Sequence, residues 1–237
     1  MAKNKYSLGI DIGGTNTVFG LVDKKGKVIK KDSILTMPKN HPKLLLESIF
    51  NIITAWETEL KIQKIIKDIG VGVPNGNYFT GMVSKPPNLG KDWDELNLCE
   101  LIRSYLDVPV AITNDANAAA LGEKRYGVAK EMNNAVLITL GTGLGSGIIV
   151  DGNILYGHDG FAGELGHLIV EQDGRECGCG RLGCLEMYVS AKGLDSTVSE
   201  YRKQYPNNEF LDSLPDKGID GKLLDQAFDN IEKIIID

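Results

Sequence analysis

The chain has 237 residues, 42% of them hydrophobic and 24% charged, with a formal net charge of −6, enough to bury a core in one large domain or two small ones. The acidic balance excludes a phosphate-backbone surface, which needs clustered Lys and Arg, so no nucleic-acid partner is expected. No apolar run reaches the length of a membrane span, and the N-terminal MAKNKYSLGIDIG enters a strand without a leader pattern, so a cytoplasmic protein with no membrane partner is expected.

In chain order, Tyr6–Ile12 and residues 17–22 read as strands joined by a tight Gly13-Gly14 turn, and Val28–Leu35 completes a meander. Lys24, Lys25, Lys27, Lys30 and Lys31 surround a Gly26 turn and read as a solvated hairpin rather than a binding patch. Over Pro42–Leu60 the apolar residues Leu45, Leu46, Ile49, Ile52, Ile53, Trp56 and Leu60 recur at helical spacing, which predicts an amphipathic helix facing a sheet. Residues 69–73 and 108–113 come next as buried strands, and Asn114-Asp115 caps a helix that stops near Gly127. A second strand series opens with Ala135–Leu140 and continues as a hairpin, 146–150 and 153–156, around Asp151-Gly152. This repeats the opening plan of strand, glycine turn and strand, and predicts two lobes, residues 1–128 and 129–237. Trp56, Trp93 and Cys99 read as packing residues.

Three segments carry phosphate or proton chemistry. In Asp11-Ile12-Gly13-Gly14-Thr15-Asn16 an apolar strand delivers an acid into a glycine turn. Bare backbone N–H groups there can approach a phosphate, Thr15 can add a hydroxyl, and Asp11 can hold Mg2+ through water. A second turn, Gly141-Thr142-Gly143-Leu144-Gly145, also ends an apolar strand. It matches neither the dinucleotide fingerprint nor the Walker A spacing, yet its backbone is bare enough for a polyphosphate. A lone Gly-Gly-Thr turn is most often just a hairpin; one such turn per lobe makes a phosphate clamp. Asp115, at a strand-to-helix junction, reads in isolation as a helix cap. Beside two phosphate turns it becomes a candidate base, because phosphoryl transfer asks a base mainly to orient a hydroxyl and take its proton late. Asn114 would align the same hydroxyl.

The fourth segment is a cysteine cluster. Cys177, Cys179 and Cys184 alternate with glycines rather than core aliphatics, and His167 precedes them by ten positions. A Cys3His set is a tetrahedral Zn2+ knot with no open position, hence structural. A disulfide or three unrelated thiols is the weaker alternative, because only Cys99 remains elsewhere. Glu164 and Glu186 flank the ligands and are suited to grip a polyhydroxylated molecule.

Asp11-Ile-Gly-Gly-Thr, Asn114-Asp115-Ala-Asn-Ala-Ala, Gly141-Thr-Gly-Leu-Gly-Ser-Gly, Gly163-Glu-Leu-Gly-His167 and Cys177-Gly-Cys-Gly-Arg-Leu-Gly-Cys-Leu-Glu186, in that order, resemble the ROK family of repressors and sugar kinases. The resemblance spans residues 5 to about 195. It implies an α/β, actin-like ATPase (ribonuclease-H-like) two-lobed fold of sugar kinase type, with ATP and sugar in its cleft. It also implies Asp115 as the catalytic base and the turns at Asp11, Gly13, Gly14, Thr15 and Asn16 and at Gly141, Thr142, Gly143 and Gly145 as the ATP site. Asn88, Asn114, Asp115, Glu164, His167 and Glu186 would line the sugar, and His167, Cys177, Cys179 and Cys184 would hold zinc, with one imidazole nitrogen left for a sugar hydroxyl.

Where many family members have Gly-x-Pro-Gly, this chain reads Gly72-Val73-Pro74-Asn75-Gly76, with Pro86-Pro87-Asn88-Leu89 further on, which is similar to a glucokinase-like branch. The expected activity is therefore transfer of phosphate from ATP to glucose with Mg2+, in a homodimer. A kinase of N-acetylhexosamines or another hexose is the nearest alternative, and polyphosphate is a possible donor by the same resemblance. A repressor would need a basic winged helix ahead of the first strand. A silent sugar-binding protein is a third reading. The chain ends at an apolar stretch, Leu223, Leu224, Phe228, Ile231, Ile234, Ile235 and Ile236, whereas family kinases continue, so the expectation is a fold lacking its C-terminal part.

Overall fold

A computed structural model describes residues 6–61, 65–219 and 222–223. In β1 (Tyr6–Ile12) the alternation of YSLGIDI buries Leu8, Ile10 and Ile12 on one face and turns Gly9 and Asp11 to the other. β2 (Asn16–Val22) and β3 (Val28–Leu35) continue the meander, each antiparallel to the strand before it. At the hairpin between them, the Asp23 carboxylate accepts the Lys25 and Lys27 N–H groups, and Lys24, Lys25 and Lys27 are exposed, as a solvated hairpin requires.

α1 (Pro42–Leu60) then crosses over to β4 (Ile66–Gly72), which lies parallel to β1. His41 caps the helix by accepting the Lys43 N–H, Pro42 occupies the first turn where no donor is needed, and Lys61 ends it in the left-handed region. Leu45, Leu46, Ile49, Ile53 and Trp56 are buried against the apolar face of the sheet, with the Trp56 ring 5.5 Å from that of Phe19. Each such side chain contributes about 1.5–3 kcal/mol when fully buried.

Two short strands, β5 (Met82–Val83) and β6 (Leu96–Asn97), pair with each other and lead into α2 (Leu98–Arg103), none of which has a clear periodic signal. β7 (Val110–Thr113) adds to β4 in parallel, giving the order β3-β2-β1-β4-β7. Residues 108–109, expected in this strand, lie outside it: Pro109 has no N–H for the ladder, although its carbonyl accepts from Ile69. Trp56, Trp93 and Cys99 all lie in this core, as packing residues.

α3 (Asp115–Tyr126) starts directly after β7 and Asn114 and stops at Gly127. β8 (Ala135–Leu140), β9 (Leu144–Val150) and β10 (Asn153–Ile154) form a sheet of order β10-β9-β8. β9 begins two residues earlier than expected, so Gly145 belongs to the strand rather than to the turn before it. Further along lie α4 (Glu186–Val189), α5 (Ala191–Gln204) and α6 (Glu209–Ser213), with a small cluster of Val198, Leu214 and Ile219. The chain sorts into two compact units, residues 1–137 with 147–163, and 138–146 with 164–237. The apolar stretch expected at the end lies, beyond Leu223, outside the described residues. Among the described residues no helix is long and apolar enough to cross a membrane.

Candidate functional site

In the first unit, register assembles the site. Asp11 pairs with Gly72 and Gly72 with Thr113, so the parallel strands β1, β4 and β7 end side by side. In open α/β sheets ligands bind beyond such carboxyl ends. The segments just past the strand ends are therefore decisive: the Gly13-Gly14 turn after β1, and Asn114-Asp115 after β7. Between them Gly72 leaves the space open. A Cβ there would lie 3.5 Å from the Asp115 Cα and 3.7 Å from an Asp11 carboxylate oxygen. The protein around Asp11 and then the Asp115 charge raise the Asp11 carboxyl above its ordinary range. The two acids thus sit beside one another at an exposed strand end.

The turn itself is tied down from beneath. The Thr36 hydroxyl donates to the Gly13 carbonyl at 2.6 Å and lies 2.9 Å from the Thr17 hydroxyl, and both threonines are buried. The Thr36 N–H bonds the Thr15 carbonyl at 2.9 Å, and the Gly13 N–H bonds the Asn16 carbonyl at 3.0 Å. With these carbonyls held inward, the backbone between them is left to present N–H groups outward, the geometry that cradles an anion. Asn88 lies against the same turn, since a Cβ on Gly14 would sit 2.8 Å from the Asn88 Cβ. Asn114 does cap α3: its side-chain oxygen accepts the Ala116 N–H at 2.8 Å, and the Asp115 carboxylate accepts the same N–H at 2.8 Å. The first unit thus brings together Asp11, Gly13, Gly14, Thr15, Asn16, Asn88, Asn114 and Asp115. Sequence reasoning missed Thr17 and Thr36, isolated threonines with no motif around them.

In the second unit the other glycine turn is held by helical residues. The Leu144 N–H bonds the Glu186 carboxylate at 2.9 Å, and the Ala191 N–H bonds the Gly141 carbonyl at 3.0 Å. The Ser146 hydroxyl, on β9, accepts the Leu165 N–H at 3.2 Å, which fixes the single helical turn Leu165–His167. Glu164 precedes that turn and its carbonyl accepts the His167 N–H. Thr142 is exposed at the tip of the glycine turn.

One ligand atom from each of His167, Cys177, Cys179 and Cys184 lies within 4.8 Å of the others. The Cys179 and Cys184 sulfurs are 3.6 Å apart, and the Cys177 sulfur is 3.6 Å from the His167 Nδ1. A tetrahedral zinc with Zn–S bonds of about 2.3 Å separates two sulfurs by about 3.8 Å. The set fits that ion, with Nδ1 as the imidazole ligand and Nε2 left over. The Arg181 hydrogen bond pulls Cys179 down to about 6, while burial, and then the hydrogen bonds and charges of Cys179 and Cys177, push Cys184 up to about 12. Arg175 ties the loop to α4 and α5, bonding the Met187 and Gly193 carbonyls at 2.7 and 3.0 Å and the Glu200 carboxylate. Its guanidinium also stacks over the Tyr188 ring. Arg175 carries no motif, and sequence reasoning missed it too.

The chain is similar to known proteins along most of its length. The family model of the ROK family matches residues 7–223. The chain is 35% identical to a glucokinase from Streptomyces coelicolor over 227 residues, covering 93% of this chain and 69% of that protein. It is 31% identical to a xylose repressor from Bacillus spizizenii, covering 89% of this chain and 54% of that protein. A solved structure, a ROK family glucokinase from Streptomyces griseus in complex with glucose and AMPPNP, superposes with a TM-score of 0.74 at 31% identity, over 95% of this chain and 71% of that one. The fold is accordingly the actin-like, ribonuclease-H-like α/β fold expected, and the chain spans between about half and seven tenths of the length of these relatives. With the family model matching nearly the whole chain, the chain belongs to the ROK family.

Proposed function

We propose that this protein is a hexose kinase that transfers the terminal phosphoryl group of ATP to the 6-hydroxyl of glucose. The observation that carries the reading is the register Asp11–Gly72–Thr113, which sets a phosphate-type turn and the Asn114-Asp115 pair at one edge of one sheet. Asp115 lies at the start of α3 with its carboxylate exposed, placed to align the acceptor hydroxyl and take its proton as the bond to phosphorus forms. Gly14 and Thr15 supply N–H and hydroxyl donors to the phosphates on a turn that the Gly13 N–H closes onto the Asn16 carbonyl, and Thr142 and Gly143 do so in the other unit, where the Gly141 N–H closes onto the Gly143 carbonyl; Gly145, within β9, contributes less. Asp11 holds Mg2+ through water, and the ion supplies charge neutralisation on the phosphates. Asn88, Asn114, Glu164, His167 through Nε2, and Glu186 hold sugar hydroxyls. Bonds of this kind discriminate among sugars strongly, because a missing hydroxyl leaves a polar group unpaired. Zinc at His167, Cys177, Cys179 and Cys184 keeps the loop that carries Glu164 and Glu186 in shape. In this reading the protein works in the cytoplasm as a homodimer.

Glucose and ATP are favoured over other acceptors and donors because the relatives include glucokinases, one of them solved with glucose and AMPPNP. The xylose repressor relative favours a second reading, a sugar-responsive regulator without turnover. A coupled ADP-release assay with Mg-ATP and glucose, N-acetylglucosamine, N-acetylmannosamine, mannose or fructose separates them. We expect turnover on glucose, reduced by about 10²–10⁴-fold in Asp115→Ala. Turnover on an N-acetylated sugar alone would move the substrate, and sugar binding without turnover would favour the regulator.

A further inference from the structure

Glu186 opens α4, two residues after the metal-ligand cysteine Cys184, and in the proposed function it belongs to the sugar. Its carboxylate nevertheless accepts the Leu144 N–H at 2.9 Å, on the glycine turn assigned to phosphates. The contact requires a bare position. A Cβ on Gly143 would lie 2.4 Å from Glu186 Oε2 and 3.2 Å from its carboxyl carbon, and would meet nothing else as closely. Gly143 does not have a positive φ, so glycine serves here for room and not for backbone freedom. The next helix also reaches the turn: the Ala191 N–H, at the start of α5, bonds the Gly141 carbonyl, so residues at the starts of two successive helices bracket it. A carboxylate can accept up to about four hydrogen bonds, which allows Glu186 to keep the Leu144 N–H while taking a sugar hydroxyl.

We propose that Glu186 is shared between the sugar site and the second glycine turn, so that sugar and nucleotide bind with positive coupling through this one side chain. The proposal rests on the sugar-kinase reading above. A bound sugar holds the Glu186 carboxylate in place, the held carboxylate orders residues 141–144, and an ordered turn loses less freedom when phosphates arrive. Linkage makes the effect reciprocal.

The lever is Gly143→Ala, which adds one methyl group to the nucleotide turn and presses only on Glu186. Calorimetry with glucose and no nucleotide should show affinity about tenfold weaker than wild type, within the usual range of coupling between sites. In a double-mutant cycle, Gly143→Ala should add nothing once Glu186→Ala is present. Zinc content and far-UV circular dichroism equal to wild type would establish that the variant is folded. Unchanged glucose affinity in Gly143→Ala, or strictly additive losses in the cycle, would overturn the coupling and leave the kinase reading standing. A wild-type protein that binds none of the five sugars would overturn the sugar site itself and the coupling with it.

Discussion

The two glycine turns look alike in sequence and are supported in different ways. The turn at residues 13–16 rests on the core: buried Thr36 holds the Gly13 carbonyl through its hydroxyl and the Thr15 carbonyl through its N–H, and buried Thr17 meets the Thr36 hydroxyl. The turn at residues 141–144 rests on the segment that follows the cysteine cluster, through Glu186 at the start of α4 and Ala191 at the start of α5. If Glu186 binds sugar as proposed, the second turn, braced by that carboxylate, would respond to the sugar, whereas the first, braced by the core, would not. One chain thus carries two glycine turns with different kinds of support.

The largest effect is expected at the Cys3His cluster proposed to hold zinc. Cys179→Ala should lower zinc affinity by more than about 100-fold, beyond the 10–100-fold typical of an outer-shell partner, and glucose binding should be lost with the metal. Metal analysis beside calorimetry reads both, and glucose binding that survives zinc loss would detach the second turn from its brace. A smaller effect is expected from the core-braced turn. Thr36→Val keeps the shape of the side chain but strands the Gly13 carbonyl and the Thr17 hydroxyl, at a cost of about 1–3 kcal/mol. AMPPNP should bind about tenfold more weakly, with glucose affinity measured alone unchanged, and Thr36→Ser should restore it. A parallel loss of glucose binding would mean that the first turn is not independently supported.

The smallest effect concerns Asp11. Its folded-state pKa lies above the unfolded value because of its surroundings and of Asp115, so its ionised form costs stability at pH values above the folded pKa. That cost vanishes below the unfolded value, where the carboxyl is protonated in both states. Asp11→Asn should therefore melt slightly above wild type at pH 7, by about 1–2 °C given solvent screening, with the gap closing near pH 3. Thermal melts at the two pH values test this, and a variant that melts lower at pH 7 would mean that Asp11 is held by a favourable partner.

Much of the site was legible because its chemistry is local. The three residues Cys177, Cys179 and Cys184 lie so close in the chain that a metal loop is their natural geometry, and the structure closes it with His167. Asn114 beside Asp115 announces a helix start, and the strand-turn-strand at Asp11 comes from alternation and Gly13-Gly14. Thr36 was not legible because its partner Thr17 is 19 residues away and a single threonine after a strand has no pattern. Arg175 was hidden for the same reason: its partners are scattered from Met187 to Glu200.

By itself the chain determined the strands of the meander, the long amphipathic helix, the cap of α3 and the clustering of His167 with the three cysteines, since each depends on residues close in sequence and on their own side-chain chemistry. Only the tertiary structure decided which strand ends lie beside one another, that Gly72 stands between two acids, and that Glu186 reaches the glycine turn 42 residues earlier. Those relations depend on register and packing between distant segments, and no local preference encodes them.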